Sequence, residues 1–409
     1  MEEIREQTQY DFDEIIDRKN TNAESVEAFR AALFRDKRDI VTFPCKEDEL
    51  IRMWVADMEF ATPEVIHDGI RARLDQRILG YTSVFDPAYY QAFSSWTKRR
   101  YDWTCEKEQL FTSDGVVPAL FELVDYICKG EEKVLIFTPS YGPFVHAAIA
   151  NSRACICSDL VHKNGAYTID FDDFEEKLKY ENVSLCIFCN PHNPTGRIWS
   201  QQELSRVARL CRKYGIWIIS DEIHCDLLRS DKVHTPLAKI LPDYDRIITC
   251  MAPSKTFNMA GLMFSNVIIP NAALRKTWRS RHHNSDNPLS IAATQAAYEK
   301  GESWHSQLLR YLDGNLKLVE EILQKQLPET KFQVPEASYL AWIDLSHYLA
   351  TQEDLIWFFA TGAGVLLEDG SMFVQNGKGH IRLNIACPRS SVQEAMERIC
   401  KAVKNQLKS

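Results

Sequence analysis

Asn190-Pro-His-Asn-Pro-Thr-Gly196, Ser220-Asp-Glu-Ile-His224 and Ala252-Pro-Ser-Lys-Thr256 follow one another through the middle of a 409-residue chain. Each comes directly after a short apolar run: Val183-Ser-Leu-Cys-Ile-Phe-Cys189, Ile216-Trp-Ile-Ile219 and Arg246-Ile-Ile-Thr-Cys250. Such runs, bounded by turn residues, read as buried parallel strands, and open α/β sheets bind ligands beyond the carboxyl ends of those strands. The order predicts three polar loops gathered at one edge of a parallel sheet.

The residue types in these loops look like a pyridoxal phosphate site. An aldehyde cofactor is held by an amine, and Lys255 at a strand end is placed for that role. Its pyridine nitrogen stays protonated beside a carboxylate, which Asp221 supplies. Its ring hydroxyl takes a hydrogen bond from an uncharged amide such as Asn193.

These motifs, together with Met53-Trp-Val-Ala-Asp-Met-Glu-Phe60 and Arg382-Leu-Asn-Ile-Ala-Cys-Pro-Arg389, resemble the MalY/PatB-type cystathionine β-lyase branch of the fold type I pyridoxal-phosphate enzymes, the aminotransferase class I/II superfamily. The resemblance spans most of the chain. It implies a large α/β domain, a mostly parallel sheet flanked by helices, over residues 61–284. A smaller α+β domain is expected from 1–60, with an N-terminal arm, and 285–409.

Further site residues follow from the same resemblance. Ser113-Asp-Gly-Val-Val-Pro118 matches the phosphate loop, where the amides of Gly115 and Val116 open a helix and suit an anion. Ser254 joins that phosphate shell. Tyr141 matches the aromatic residue that stacks on the ring, and Tyr81 one that reaches the neighbouring cofactor across a dimer interface. Arg382 matches the arginine that grips the substrate α-carboxylate, a planar anion suited to a bidentate guanidinium.

Departures from the wider aminotransferase pattern are informative. His224 stands where those enzymes often have tyrosine, and the Asp-Glu-Ile-His form is typical of the C–S lyase branch. Ala252 and Met263 stand where a hydroxyl and an arginine often hold phosphate. The implied reaction is α,β-elimination from L-cystathionine or a related L-cysteine thioether, releasing homocysteine or another thiol, pyruvate and ammonia. The alternatives are an aminotransferase, or a lyase with an added regulatory binding role.

Composition agrees with a soluble enzyme. The chain is 45% hydrophobic and 26% charged, with net charge −9 and no basic stripe, which argues against nucleic acid as a partner. The acidic start, Met1-Glu-Glu-Ile-Arg-Glu-Gln7, lacks a signal-peptide core, and no apolar run reaches membrane-spanning length. A cytoplasmic homodimer without a metal is expected. Twelve cysteines are scattered through apolar segments, favouring free thiols over a disulfide framework. Cys186 and Cys189, three apart on a strand, should face opposite sides.

Local signals place further elements. Thr62-Pro63 reads as an N-cap with proline opening a helix toward Ile78. Ser200-Gln-Gln-Glu203 and Ser390-Ser-Val-Gln393 both read as capping boxes. A helical stretch from Ser290 to Gln326, broken near Gly301, should connect the domains.

Overall fold

The computed structural model describes residues 9–163, 165–282 and 285–408. The acidic start, Met1 to Gln7, and the domain boundary expected at 284 lie outside the described residues. An eight-stranded sheet runs, in spatial order, Leu110–Ser113, Ser265–Ile268, Ile247–Met251, Trp217–Asp221, Val183–Cys189, Lys133–Thr138, Cys155–Lys163 and Ala166–Ile169. The five strands from Ile247–Met251 to Cys155–Lys163 are mutually parallel. Ser265–Ile268 is antiparallel to both neighbours, and Ala166–Ile169 closes the far edge as a hairpin.

The central strands are continuous apolar runs because helices cover both faces of the sheet. Cys186 packs with Leu135, Phe188 and Cys211 on one face, whereas Cys189 packs with Val134, Ile136 and Ile187 on the other. The period-two geometry of the strand separates the two thiols, and all twelve cysteines are free.

The helix Gln201–Tyr214 begins at the expected capping box: Glu203 N donates to Ser200 Oγ at 3.2 Å while Ser200 N donates to Glu203 Oε2 at 2.8 Å. Two other helix starts differ from expectation. The first helix of the large sheet region is Glu64–Leu74, with Pro63 at its N-cap and no side-chain cap; the Thr62 hydroxyl instead meets His67 Nε2 at 2.6 Å. It stops four residues short of Ile78, at a turn where Arg77 takes a positive φ of 65°. The C-terminal helix is Arg389–Gln406 with Pro388 at its N-cap. The proline brings its own extended φ/ψ to that position, which puts Ser390 inside the first turn, so no Ser390 box forms.

A second, antiparallel sheet of Leu340–Asp344, His380–Asn384 and Glu368–Asp369 lies under the helices Glu302–Gln326 and Arg389–Gln406. Leu308, Leu312, Leu316, Val392, Met396 and Ile399 form their shared core. The amino-terminal region joins this layer, since Ile51–Arg52 pairs in parallel with Val365–Leu366. The helical stretch is two helices, Pro288–Lys300 and Glu302–Gln326, parted at Gly301. The first packs closely on Glu64–Leu74 at Gly69, where a Cβ would stand 2.9 Å from Ala296 Cβ. Among the described residues no helix is long and apolar enough to cross a membrane.

Candidate active site

The three polar loops meet as the strand order requires. Asn190 N donates to Asp221 O at 2.9 Å, and Glu222 N donates to Cys250 O at 2.9 Å. These bonds step across the carboxyl ends of Val183–Cys189, Trp217–Asp221 and Ile247–Met251. Behind them, buried Glu222 pairs with His234 Nε2 at 2.7 Å and accepts from Ser220 Oγ and Leu237 N. The loop after Asp221 is therefore held from beneath by a charged residue that faces away from the cavity.

Asp221 is 5% exposed. Its Oδ1 accepts from Ile223 N at 3.1 Å. Burial pushes its pKa up to about 7, against the opposing pull of the Ile223 amide and the Lys255 cation. A carboxyl destabilised as an anion by burial is the group that a protonated pyridine beside it would keep ionised.

Lys255 lies in the short helix Pro253–Thr256. Its Nζ donates to Ala56 O at 2.5 Å, and Tyr339 Oη donates to the same carbonyl at 2.9 Å. Burial lowers the amine to about 8, Asp57 and Asp221 pull it upward, and Arg382 pushes it down. Asp57 is itself neutralised from behind by Arg18 at 2.8 Å. Its backbone carbonyl, like that of Val55, accepts from Asn384 Nδ2.

Arg382, 2% exposed, enters from the second sheet. Its Nη1 donates to Asn193 Oδ1 at 3.3 Å and its Nη2 to Trp54 O at 3.2 Å, and Nη2 forms an ion pair with Glu368. Phe373 lies under its guanidinium at 5.2 Å. Because Asn193 Oδ1 faces the arginine, its amide nitrogen is left to donate elsewhere.

Tyr141 ends a two-residue strand paired with Phe373–Val374 and senses the charges of Arg382, Glu368 and Asp221, which places it in the same cavity. His224 is 3% exposed, edge-on to Tyr339 at 6.4 Å. Burial and the Lys255 and Arg382 cations depress it to about 3, so it is neutral. Its Nδ1 and the Nε of Arg382 are buried without a partner.

Gly115 is the N-cap of the helix Val116–Ile127, with φ at 142°, a conformation that favours glycine. The first-turn amides of this helix, Val116 among them, have no side-chain cap. Ser254 is the second residue of Pro253–Thr256, beside Lys255, and its carbonyl accepts from Met259 N at 3.0 Å. Met263, in the position of the missing arginine, is exposed and carries no charge. Tyr81 is fully exposed in its own chain.

Two groups around the cavity carry no motif of their own. Glu368 and Tyr339 are visible only because distant strands bring them to Arg382 and Lys255. The Met53 to Phe60 segment does stand out in the sequence, and it contributes the carbonyls of Trp54 and Ala56 together with the Asp57 carboxylate that pulls on Lys255.

The observed set fits pyridoxal phosphate. A carboxyl raised by burial, an amine lowered to about 8, an amide turned by Arg382 and an uncapped helix start match the four polar regions of that molecule.

Residues 50–399 match the family model for aminotransferase class I and II. Cystathionine beta-lyase PatB of Bacillus subtilis is 38% identical over 86% of this chain and 92% of its own. Protein MalY of Escherichia coli is 26% identical over 97% of this chain and 99% of its own. The solved PLP-bound C-S lyase from Staphylococcus hominis is 51% identical, with TM-score 0.92 over 97% of this chain and 98% of that one. With most of its length matched, the chain belongs to the aminotransferase class I and II family.

Proposed function

We propose that this protein is a pyridoxal 5′-phosphate-dependent carbon–sulfur β-lyase acting on L-cystathionine or a related L-cysteine thioether. The carrying observation is the contact of Arg382 with Asn193, which sets a carboxylate clamp beside the group suited to the cofactor hydroxyl. The similarity to PatB and to the C–S lyase of S. hominis supports the choice of reaction.

Lys255 would hold the cofactor aldehyde, Asp221 its ring nitrogen, Asn193 its ring hydroxyl, and Tyr141 one face of the ring. Gly115, Val116 and Ser254 would hold the phosphate. When bound, the cofactor supplies a sink for the electron pair left at the substrate Cα. Arg382 fixes the α-carboxylate and so aims the Cα–H bond. Lys255 Nζ, with its pKa at about 8, takes that proton as general base near neutral pH. The Cβ–S bond then breaks, its electron pair leaves with sulfur, and the thiolate acquires a proton. Water converts the three-carbon remainder to pyruvate and ammonia. His224, neutral and buried, lines the site without adding charge.

The chain works as a homodimer in this reading. Ile78, Leu79, Tyr81 and Phe85 are 59–100% exposed along one loop, an apolar patch that a second copy would cover. Residues 61–284 form the large domain, and 1–60 with 285–409 the small one. A cytoplasmic location accords with the free thiols.

The test is incubation of cofactor-loaded protein with L-cystathionine and no oxo-acid acceptor. Pyruvate and free thiol should appear in equal amounts and continue to accumulate. If neither appears, and an added 2-oxo acid is aminated by a donor amino acid, the same site belongs to a transaminase.

A further inference from the structure

Arg382 already holds a carboxylate. Its Nη2 donates to Trp54 O at 3.2 Å and forms an ion pair with Glu368 Oε2. Nη2 belongs to both edges through which a guanidinium grips a planar carboxylate in bidentate fashion, the Nη1–Nη2 edge and the Nε–Nη2 edge. A substrate carboxylate taking either edge meets Trp54 O and the Glu368 carboxylate at Nη2. Trp54 O is backbone, whereas Glu368 is a side chain that can rotate. Nε, buried without a partner, marks the edge left half open.

The pairing is built into the second sheet. Glu368 stands directly opposite Arg382 in the antiparallel ladder, and Trp342 stands opposite Arg382 on the other side. The three side chains form a row on one face. Glu368 also senses Lys255, which places its carboxyl within the cavity. Burial raises its pKa against the pull of both cations.

We infer that Glu368 is an internal surrogate for the substrate α-carboxylate, holding Arg382 in the free enzyme and yielding it when an amino acid binds. The inference rests on Arg382 being the carboxylate clamp of the proposed function. Its physical basis is exchange: one carboxylate replaces another on the same fork, so the arginine is never a buried, unpaired charge. The exchange lowers ground-state affinity while keeping the fork oriented for catalysis. A permanent buttress would have the opposite effect on affinity, so the sign of the change decides.

The experiment is calorimetric titration of the cofactor-loaded enzyme with 2-methylalanine, an α-amino acid that lacks a Cα proton and cannot be turned over by proton abstraction. The near-isosteric Glu368→Gln should bind it about 10-fold more tightly than the parent, the loss of one competing charge-assisted contact. Glu368→Ala should also tighten binding, and Arg382→Ala combined with Glu368→Gln should lose the gain. Unchanged or weaker binding in a folded Glu368→Gln protein overturns the inference and makes Glu368 an orienting or neutral neighbour. Because the readout is binding, tightening without pyruvate production would leave this inference standing while the lyase reading fell.

Discussion

Arg382 Nη1 lies 3.3 Å from Asn193 Oδ1, a hydrogen bond between residues 189 positions apart in the chain. It joins the second sheet to the loop after Val183–Cys189 and sets the orientation of the Asn193 amide. Arg382→Lys removes the fork and most of that constraint. We expect kcat/KM for cystathionine to fall roughly 30- to 1000-fold, about 2–4 kcal/mol, mainly through KM. Steady-state kinetics with parent and variant check this, and a parent-like KM would assign the carboxylate to another group.

Asp221 gives a stability signature in the cofactor-free protein. Its pKa rises from 3.8 to about 7 on folding, so the folded state binds the extra proton between those values. The stabilisation is present at pH 4 and is lost as pH rises through about 7. Asp221→Asn should remove this dependence and stabilise the cofactor-free protein by up to about 4 kcal/mol above pH 7. Denaturant melts of both proteins at pH 5 and pH 8 measure the difference. A variant less stable than the parent at pH 8 contradicts the assignment.

Gly196 ends the Asn-Pro-Thr-Gly segment at φ 67°, and a Cβ there would stand 2.3 Å from Pro335 Cβ and 3.0 Å from Ala337 O. The segment 335–337 is held there by Ala337 N donating to Gly196 O at 3.0 Å. Gly196→Ala combines a strained backbone with overpacking. It should cost about 2–4 kcal/mol of stability and, by shifting Asn193, weaken cofactor retention. Chemical denaturation and the bound cofactor absorbance report the two effects separately.

Tyr81, fully exposed in one chain, completes the neighbour's site in the dimer reading. Tyr81→Ala and Lys255→Ala proteins should each be severely impaired, the second by at least ~10²-fold from loss of the general base. Unfolding and refolding the two together should restore roughly a quarter of the parent activity. Random mixing makes half the dimers hybrid, each with one intact site of two. Absence of recovery, with hybrid dimers demonstrated, would place Tyr81 outside the site.

Much of the large sheet was legible because its strands are apolar on both faces and end in turn residues; Val183–Cys189 was read to the residue. Ser200 was legible as a cap because its partner Glu203 is three residues away. The start at Arg389–Gln406 was misread because a serine box and a proline competed for the same turn, and Pro388 took the N-cap. The antiparallel direction of Ser265–Ile268 has no sequence mark, since its apolar run looks like that of its parallel neighbours.

The order of the polar loops along the sheet edge, and with it the positions of Asn193, Asp221 and Lys255, is written in the amino-acid sequence. Spacing to strand ends is a local property, and local signals carry it. Folding in three dimensions is what gives Ala56 O both Lys255 and Tyr339, turns the Asn193 oxygen to Arg382 and pairs Glu368 with Arg382. These relations depend on register between strands far apart in the chain and on backbone carbonyls that every residue possesses. Neither leaves a pattern of residue types to read.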